Sequence, residues 1–258
     1  EILNEYEYKS EGLSLSNIYF HHLALIQNYH NNNALSQKTF ENHLEIFDLD
    51  KLRTLYFYEN FLNINKKNKD NKYISLFLEK YSDHSFSSYL KNKNNRIPKI
   101  INTPSQGISE AIYNLAKTLH SQNMYETSLV LAQTSLFLDP NNHLVKYLIS
   151  LNFNSLKKKE LALEYLKKVP DESYISWNAY ISVAELYMDL GNYNLAEDYL
   201  HKLEKKYQKR IEILYKLGEM YHIQKKYDDA IKYFSAAISN VKKIEKKYWY
   251  LFYSRGMS

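Results

Sequence analysis

Between Ile211 and Lys243 the chain places Leu214, Leu217, Gly218, Tyr221, Ala230, Phe234 and Ala237 at offsets that return when the sequence is stepped back by 34 residues. Counted from 1, they hold positions 4, 7, 8, 11, 20, 24 and 27. From Trp177 those positions carry Tyr180, Val183, Ala184, Tyr187, Ala196, Leu200 and Leu203. From His143 they carry Lys146, Ile149, Ser150, Phe153, Ala162, Leu166 and Val169, a weaker copy because position 4 is charged. From Ser109 they carry Ile112, Leu115, Ala116, Leu119, Ser128, Ala132 and Ser135. A chance apolar periodicity would drift against this step, so the shared phase calls for a repeated unit. Each unit reads as two antiparallel amphipathic helices, roughly 211–224 and 228–242 in the last one, with a turn at Lys225-Lys226-Tyr227. Small residues at 8 and 20 let the backbones approach, and larger ones at 4, 7, 11 and 24 fill the space around them. One hairpin cannot bury its apolar faces alone, so it requires neighbours.

The spacing resembles the tetratricopeptide repeat over residues 109–242, a little over half the chain. The resemblance implies an all-α fold, a right-handed solenoid of antiparallel helix pairs whose first helices line a concave groove that holds peptides or partner proteins. In that family positions 2, 5, 9, 12 and 13 of each first helix face the groove. The resemblance therefore implies contacts from Tyr113, Tyr147, Ile181 and Tyr215 at position 5, and from Lys117, Leu151, Glu185 and Glu219 at position 9. Position 12 adds His120, Asn154, Met188 and His222. The three tyrosines would form a ladder of flat amphipathic contacts, with Glu185 and Glu219 selecting against acidic ligands. A Tyr-rich chain puts Tyr everywhere, and that bland reading stands beside the ladder. Repeats that clamp a chaperone's C-terminal carboxylate carry Lys and Asn at 5 and 9 of one unit and Asn at 6 of the next; Tyr113, Lys117 and Leu148 do not match.

Composition suits this architecture. An apolar fraction of 45% can supply a continuous core, and five Gly with four Pro suit long helices and short turns. The 26 Tyr reflect an AT-rich coding sequence better than a Tyr-specific activity. Zero Cys excludes disulfides, thiolate zinc sites and a Cys nucleophile. No apolar run reaches the roughly 18–20 residues of a membrane span. The chain opens at Glu1 without Met and closes within what reads as a first helix, the pattern of a fragment or processed form, with any signal sequence outside view.

Residues 1–16 read as the remnant of a preceding element. From Asn17 the count gives Phe20, Leu23, Ala24, Ser36 and Phe40, with Asn31-Asn32-Asn33 as the turn. From Lys51 it gives Phe57, Phe61, Ile74 and Phe77, but Tyr58 and Asp70 replace the small positions. Residues 17–84 thus read as two degenerate helix pairs, 85–102 as a loop or insertion, 103–244 as four repeats and 245–258 as the truncated first helix of another. Thr103-Pro104-Ser105-Gln106 reads as a helix start, with Thr103 the cap and Gln106 its reciprocal partner. The stretches 103–116 and 249–256 resemble tetratricopeptide proteins of α-proteobacteria whose function is poorly defined, many with export signals. The resemblance tilts location toward the envelope, with the cytoplasm also open.

Chemistry is sparse. His21 and His22 are adjacent and diverge by about 100° on a helix, so they read as groove or surface residues rather than metal ligands. Asp228-Asp229 complements a helix dipole. No phosphate-cradling glycine loop, dinucleotide fingerprint or nucleophile elbow is present, so no enzyme, cofactor, metal or small-molecule substrate is expected. Lys157-Lys158-Lys159 and Lys225-Lys226 fall at turns, and a net charge of +5 is modest for nucleic-acid binding. The reading is a protein-interaction scaffold working through its groove. The alternative is an assembly element of an envelope complex that works through its ends.

Overall fold

A computed structural model describes residues 13–47, 49–65, 71–81, 84–91, 101–207, 210–241 and 246–258. The described regular elements are helices. They form two compact parts, residues 1–156 and 157–258. The first holds α1 (Leu13–Tyr29), α2 (Asn33–Leu44), α3 (Leu52–Ile64), α4 (Lys72–Lys80), α5 (Ser85–Lys91), α6 (Pro104–Ser121), α7 (Tyr125–Leu138) and α8 (His143–Ser155). The second holds α9 (Lys159–Leu166), α10 (Ser176–Asp189), α11 (Tyr193–Tyr207), α12 (Ile211–Ile223), α13 (Tyr227–Ser239) and α14 (Trp249–Gly256).

The turns inside the pairs share one backbone device. Asn31, Asn123, Lys157, Gly191 and Lys225 have φ of 61°, 62°, 62°, 74° and 60°, and each is position 15 of its count. At Asn31, Asn123, Gly191 and Lys225 this left-handed residue stops the first helix and reverses the chain. The next amide donates to the carbonyl five residues back in four of these turns: Asn32 to Gln27, Met124 to Leu119, Asn192 to Tyr187 and Lys226 to Tyr221, at 2.8–2.9 Å. Left-handed geometry costs a residue bearing Cβ about 1–2 kcal/mol, and only glycine escapes it. Lys225→Gly should therefore raise the urea midpoint by the equivalent of about 1 kcal/mol; an unchanged or lower midpoint would contradict the turn geometry.

Positions 8 and 20 meet as the period implies. Ser36 Oγ donates to the Ala24 carbonyl at 2.9 Å, and Ser128 Oγ donates to that of Ala116 at 2.8 Å. Both are a position-20 serine bonded to the position-8 carbonyl, so the first degenerate pair, α1 and α2, repeats the joint of α6 and α7. At Gly218 the small residue has a different job. It makes room for the ring of Phe234 at position 24, whose atoms lie 2.5–2.9 Å from where a Cβ would stand.

The N-terminal boundaries need correction. Helix α1 begins at Leu13, so residues 13–16 belong to it and not to a separate remnant; residues 1–12 lie outside the described residues. In the pair counted from Lys51, Phe57, Phe61 and Phe77 are buried as expected. Tyr58 replaces the small residue and is buried too, its hydroxyl donating to Glu41 Oε1 at 2.7 Å. Asp70 lies outside the described residues. The loop expected over 85–102 is helical at Ser85–Lys91, because Phe86 and Leu90, one turn apart, both bury their side chains. The Lys/Asn run after Lys91 lies outside the described residues, as do Ile97 and Pro98.

Thr103 caps α6, accepting the Gln106 amide at 3.2 Å, and Pro104 opens the helix. Gln106 Oε1 reaches one residue further back than a capping box requires, to the Asn102 amide at 2.8 Å. Residues 242–245 lie outside the described residues. A short 3-10 turn at Lys246–Tyr248 leads into α14, which starts at Trp249, four residues later than a strict 34-residue step from Ile211, and packs Leu251 against Leu214 and Ala237.

Candidate functional site

In the first part, the face of α6 expected to open onto a groove is sealed by the helices before it. Glu110, at position 2, is fully buried. Arg53 of α3 donates to it twice, Nε to Oε1 at 2.8 Å and Nη2 to Oε2 at 2.5 Å. His21 Nε2 lies 3.4 Å from Glu110 Oε1, its Nδ1 3.2 Å from Thr54 Oγ1, and His22 Nε2 3.0 Å from Asn114 Nδ2. Burial works against the Glu110 charge, but the Arg53 guanidinium outweighs it and holds the carboxyl well below its usual range. His21 is 3% exposed, which corrects the expectation of a groove or surface histidine: its ring packs on Phe57 at 5.3 Å.

Tyr113 needs the same correction. It is 8% exposed, with the Arg53 guanidinium 5.9 Å from its ring centre, so it presents no open ladder rung. Further along the part, Lys117 is exposed. His120 Nδ1 bonds Asn152 Oδ1 at 2.7 Å, and Asn152 Nδ2 donates to Ser128 Oγ at 2.9 Å. Tyr147 and Leu151 are half-buried, and Asn154 is exposed.

His22 gives this seal a pH dependence. Burial, aided by His21 and Arg53 and opposed by Glu110, lowers its pKa to about 4. The folded protein holds His22 neutral where the unfolded chain takes up a proton, so stability is full above the unfolded value of about 6.5 and falls as the pH drops toward 4. Between pH 7 and pH 5 the loss should be about 2 kcal/mol in urea unfolding. A His22→Asn variant should lack that slope. A slope shared equally by both proteins would dismiss His22 as its source.

In the second part, one cation ties two expected groove residues together. Lys216 Nζ lies 2.8 Å from Glu185 Oε1 and 2.8 Å from Glu219 Oε2. Partial burial opposes the ammonium charge, and the hydrogen bonds it donates to the two carboxylates more than offset this, so the lysine titrates above its usual range. Glu185 and Glu219 keep side-chain exposures of 46% and 31%, and Met188 is half-buried. Ile181 is buried and offers no contact surface. On the same turn, Trp177 Nε1 donates to Glu212 Oε2 at 3.0 Å, under the Arg210 guanidinium at 4.9 Å from the indole.

The last repeat has its own cover. The Tyr215 ring meets Tyr250 edge-on at 4.8 Å and Phe234 at 5.6 Å, and its hydroxyl approaches Ser254 Oγ at 3.5 Å. His222 Nδ1 bonds Ser258 Oγ at 2.8 Å. Helix α14 thus stands where the first helix of a following repeat would stand. Sequence reasoning missed Lys216 and Arg53, and it placed position 2 on the groove without singling out Glu110 or Glu212, which hold it. The spacing of Lys216 to Glu219 was a visible signal; the partners of Arg53 and Glu212 lie 57 and 35 residues away and carried none.

Pairing, register and turns define the class: an all-helical protein of paired antiparallel helices consistent with a tetratricopeptide solenoid. Residues 178–205 and 211–240 match the tetratricopeptide repeat family, whose fold typically serves as a protein-interaction scaffold and is usually non-catalytic. No curated protein matches in sequence. Among solved structures, a fragment of MamA from Desulfovibrio magneticus RS-1 is 16% identical over 70% of this chain and 94% of its own, with a TM-score of 0.45. YrrB, described as a repeat protein with an unusual peptide-binding site, is 14% identical over 70% and 91%, with a TM-score of 0.45. PilF of Pseudomonas aeruginosa is 15% identical over 84% and 88%, with a TM-score of 0.42. At such scores none of these likenesses bears on function. No described helix is long and apolar enough to cross a membrane, and the described residues hold no His/Cys/Asp/Glu group suited to a metal.

Proposed function

We propose that the protein is a non-catalytic scaffold that holds a basic segment of a partner protein against the first-helix face of the repeats starting at 177 and 211. The Lys216 bridge between Glu185 and Glu219 carries this reading. It orders three charged side chains before any ligand arrives, leaves the carboxylates part-exposed and keeps one net negative charge among the three. A pre-ordered charged face loses less entropy on binding, and its sign steers cationic partners. The site is narrower than the expected groove, because Tyr113 and Tyr215 are engaged by neighbouring helices. The resemblance of residues 103–116 and 249–256 to exported bacterial proteins supports an envelope setting.

A second reading rests on α14. Its far side exposes Trp249, Tyr253 and Met257, one turn apart, at 63%, 59% and 60%, which suits assembly through the end of the array. One pull-down from the native cell separates the two, using proteins of matched helicity by circular dichroism. A Glu185→Gln/Glu219→Gln variant should lose the partners that wild type and an exposed Glu126→Gln control retain. Partners kept by that variant and lost from Trp249→Ser/Tyr253→Ser would move the interaction to the end and overturn the first reading.

A further inference from the structure

Position 7 of the first helix is closed in three repeats and open in one. Ile149, Val183 and Leu217 are 0%, 2% and 0% exposed, whereas Leu115 is 52% exposed. Helices α8, α10 and α12 each pack against the second helix before them, α7, α9 and α11. Helix α6 packs chiefly on α7 and α8, which follow it, and on α1, itself a first helix. It meets α1 through Glu110 and Asn114, each two residues from Ile112 and so about 160° round the helix from it. The place of a preceding second helix is left open on the Ile112 side.

Leu115 belongs to a stripe of Ile108, Ile112, Leu115 and Leu119, spaced four, three and four residues apart. Ile108 is 52% exposed, and Ile112 and Leu119 are half-buried. The joint of α6 with α7 is made of small residues, fully buried Ser109, Ala116, Ser128, Ala132 and Ser135, so the larger side chains stand outside it. Ser105, three residues before Ile108, donates its Oγ to the Leu138 carbonyl at 2.7 Å, which sets half-buried Leu138 beside the stripe. Charge is scarce around it: Glu110, Lys117 and Glu126 are the charged residues among the 35 from 104 to 138, against 24% of the whole chain. Glu110 is sealed by Arg53 on the far side of α6, and Lys117 lies about 160° round that helix from Leu115. Asp139, just beyond α7, is buried.

We propose that this stripe is where two copies of the chain pair, α6 against α6. Its spacing averages about 3.5 residues, the period at which two helices interlock side chains along a shared seam. A two-fold pair sets each surface against itself, so a charged face would repel its own copy. This face has no charge to repel. Exposed Ala111 and half-buried Thr118 flank Leu115 with small side chains, which lets a second helix approach. The 18 residues of α6 run about 27 Å, and two helices side by side span about 20 Å. Roughly 500 Å² per copy, or about 1,000 Å² for the pair, meets the lower limit of a specific interface and sets a weak dimer. The surface is distinct from both the acidic face at Glu185 and Glu219 and the far side of α14.

Sedimentation velocity of the full chain, from about 1 to about 500 µM, tests the pairing. Wild type should pass from monomer to dimer with a dissociation constant on the order of 10–100 µM. Leu115→Lys and Leu115→Glu should each weaken the dimer about tenfold or more, since each brings like charges together near the middle of the seam. Leu115 is exposed, so both variants should keep the circular dichroism and urea midpoint of wild type. Mixed in equal amounts they should dimerise again, because Lys then meets Glu across the seam. A wild type that stays monomeric would overturn the proposal and leave the stripe to a different chain. Single variants that dimerise like wild type, or a mixture that stays monomeric, would overturn it as well. So would a dimer lost instead in Trp249→Ser/Tyr253→Ser, which would put the contact on α14.

Discussion

Gly218→Ala is expected to lower thermal and urea stability by about 1–3 kcal/mol, although alanine favours a helix over glycine by about 1 kcal/mol. The new Cβ would stand 2.5 Å from Phe234 Cε1 and 2.6 Å from Cδ1, closer than any side-chain contact allows. The ring has little room to withdraw, being 1% exposed and packed on Tyr215 at 5.6 Å. Gly218→Leu should cost more. The preceding repeat pairs Ala184 with Leu200 at the same positions, so Gly218→Ala/Phe234→Leu should recover most of the loss. The first repeat shows the other way out. It pairs Ala24 at position 8 with Phe40 at position 24, whose ring leans on Tyr58 and Phe61 at 5.5 and 5.9 Å. A midpoint that rises in Gly218→Ala would mean that Phe234 can swing aside as Phe40 does.

Arg53→Ala should cost about 3 kcal/mol, because it strands the Glu110 carboxylate in a site with 1% side-chain exposure. The lower end of the range for a broken buried pair applies, since Arg53 itself keeps 13% of its side chain in contact with solvent. Replacing both partners by methionine should restore most of the stability, because neither burial nor pairing of charge is then required. Unfolding in urea measures both variants. A loss below about 0.5 kcal/mol for Arg53→Ala would show that His21 and Thr54 alone hold the face of α6, and that the ion pair is incidental.

The helix pairs were legible because their cause is local. Positions 8, 20 and 24 recur within 34 residues, and Ala24 with Ser36 kept the phase even where the larger positions had changed. The position-15 turn was legible only as a place: Lys157 and Lys225 advertise solvent, not the left-handed backbone they adopt. Helix α5 was hidden because Phe86 and Leu90 make one turn of apolar pattern beside a conspicuous Lys/Asn run.

The sequence by itself determined that this chain folds as helix pairs and that small residues join them, since a fixed period imposes both on nearest neighbours. Tertiary structure alone decided what the first-helix faces present. Tyr113 and Tyr215 hold the same position as Tyr147, yet one is buried beside Arg53 and the other meets Tyr250. Exposure depends on which helix packs across a face, and Arg53 is 57 residues from Glu110, across a stretch that breaks the 34-residue phase. No periodicity links such residues; only packing brings their charges close enough to close one face, while Glu185 and Glu219 stay part-exposed on another.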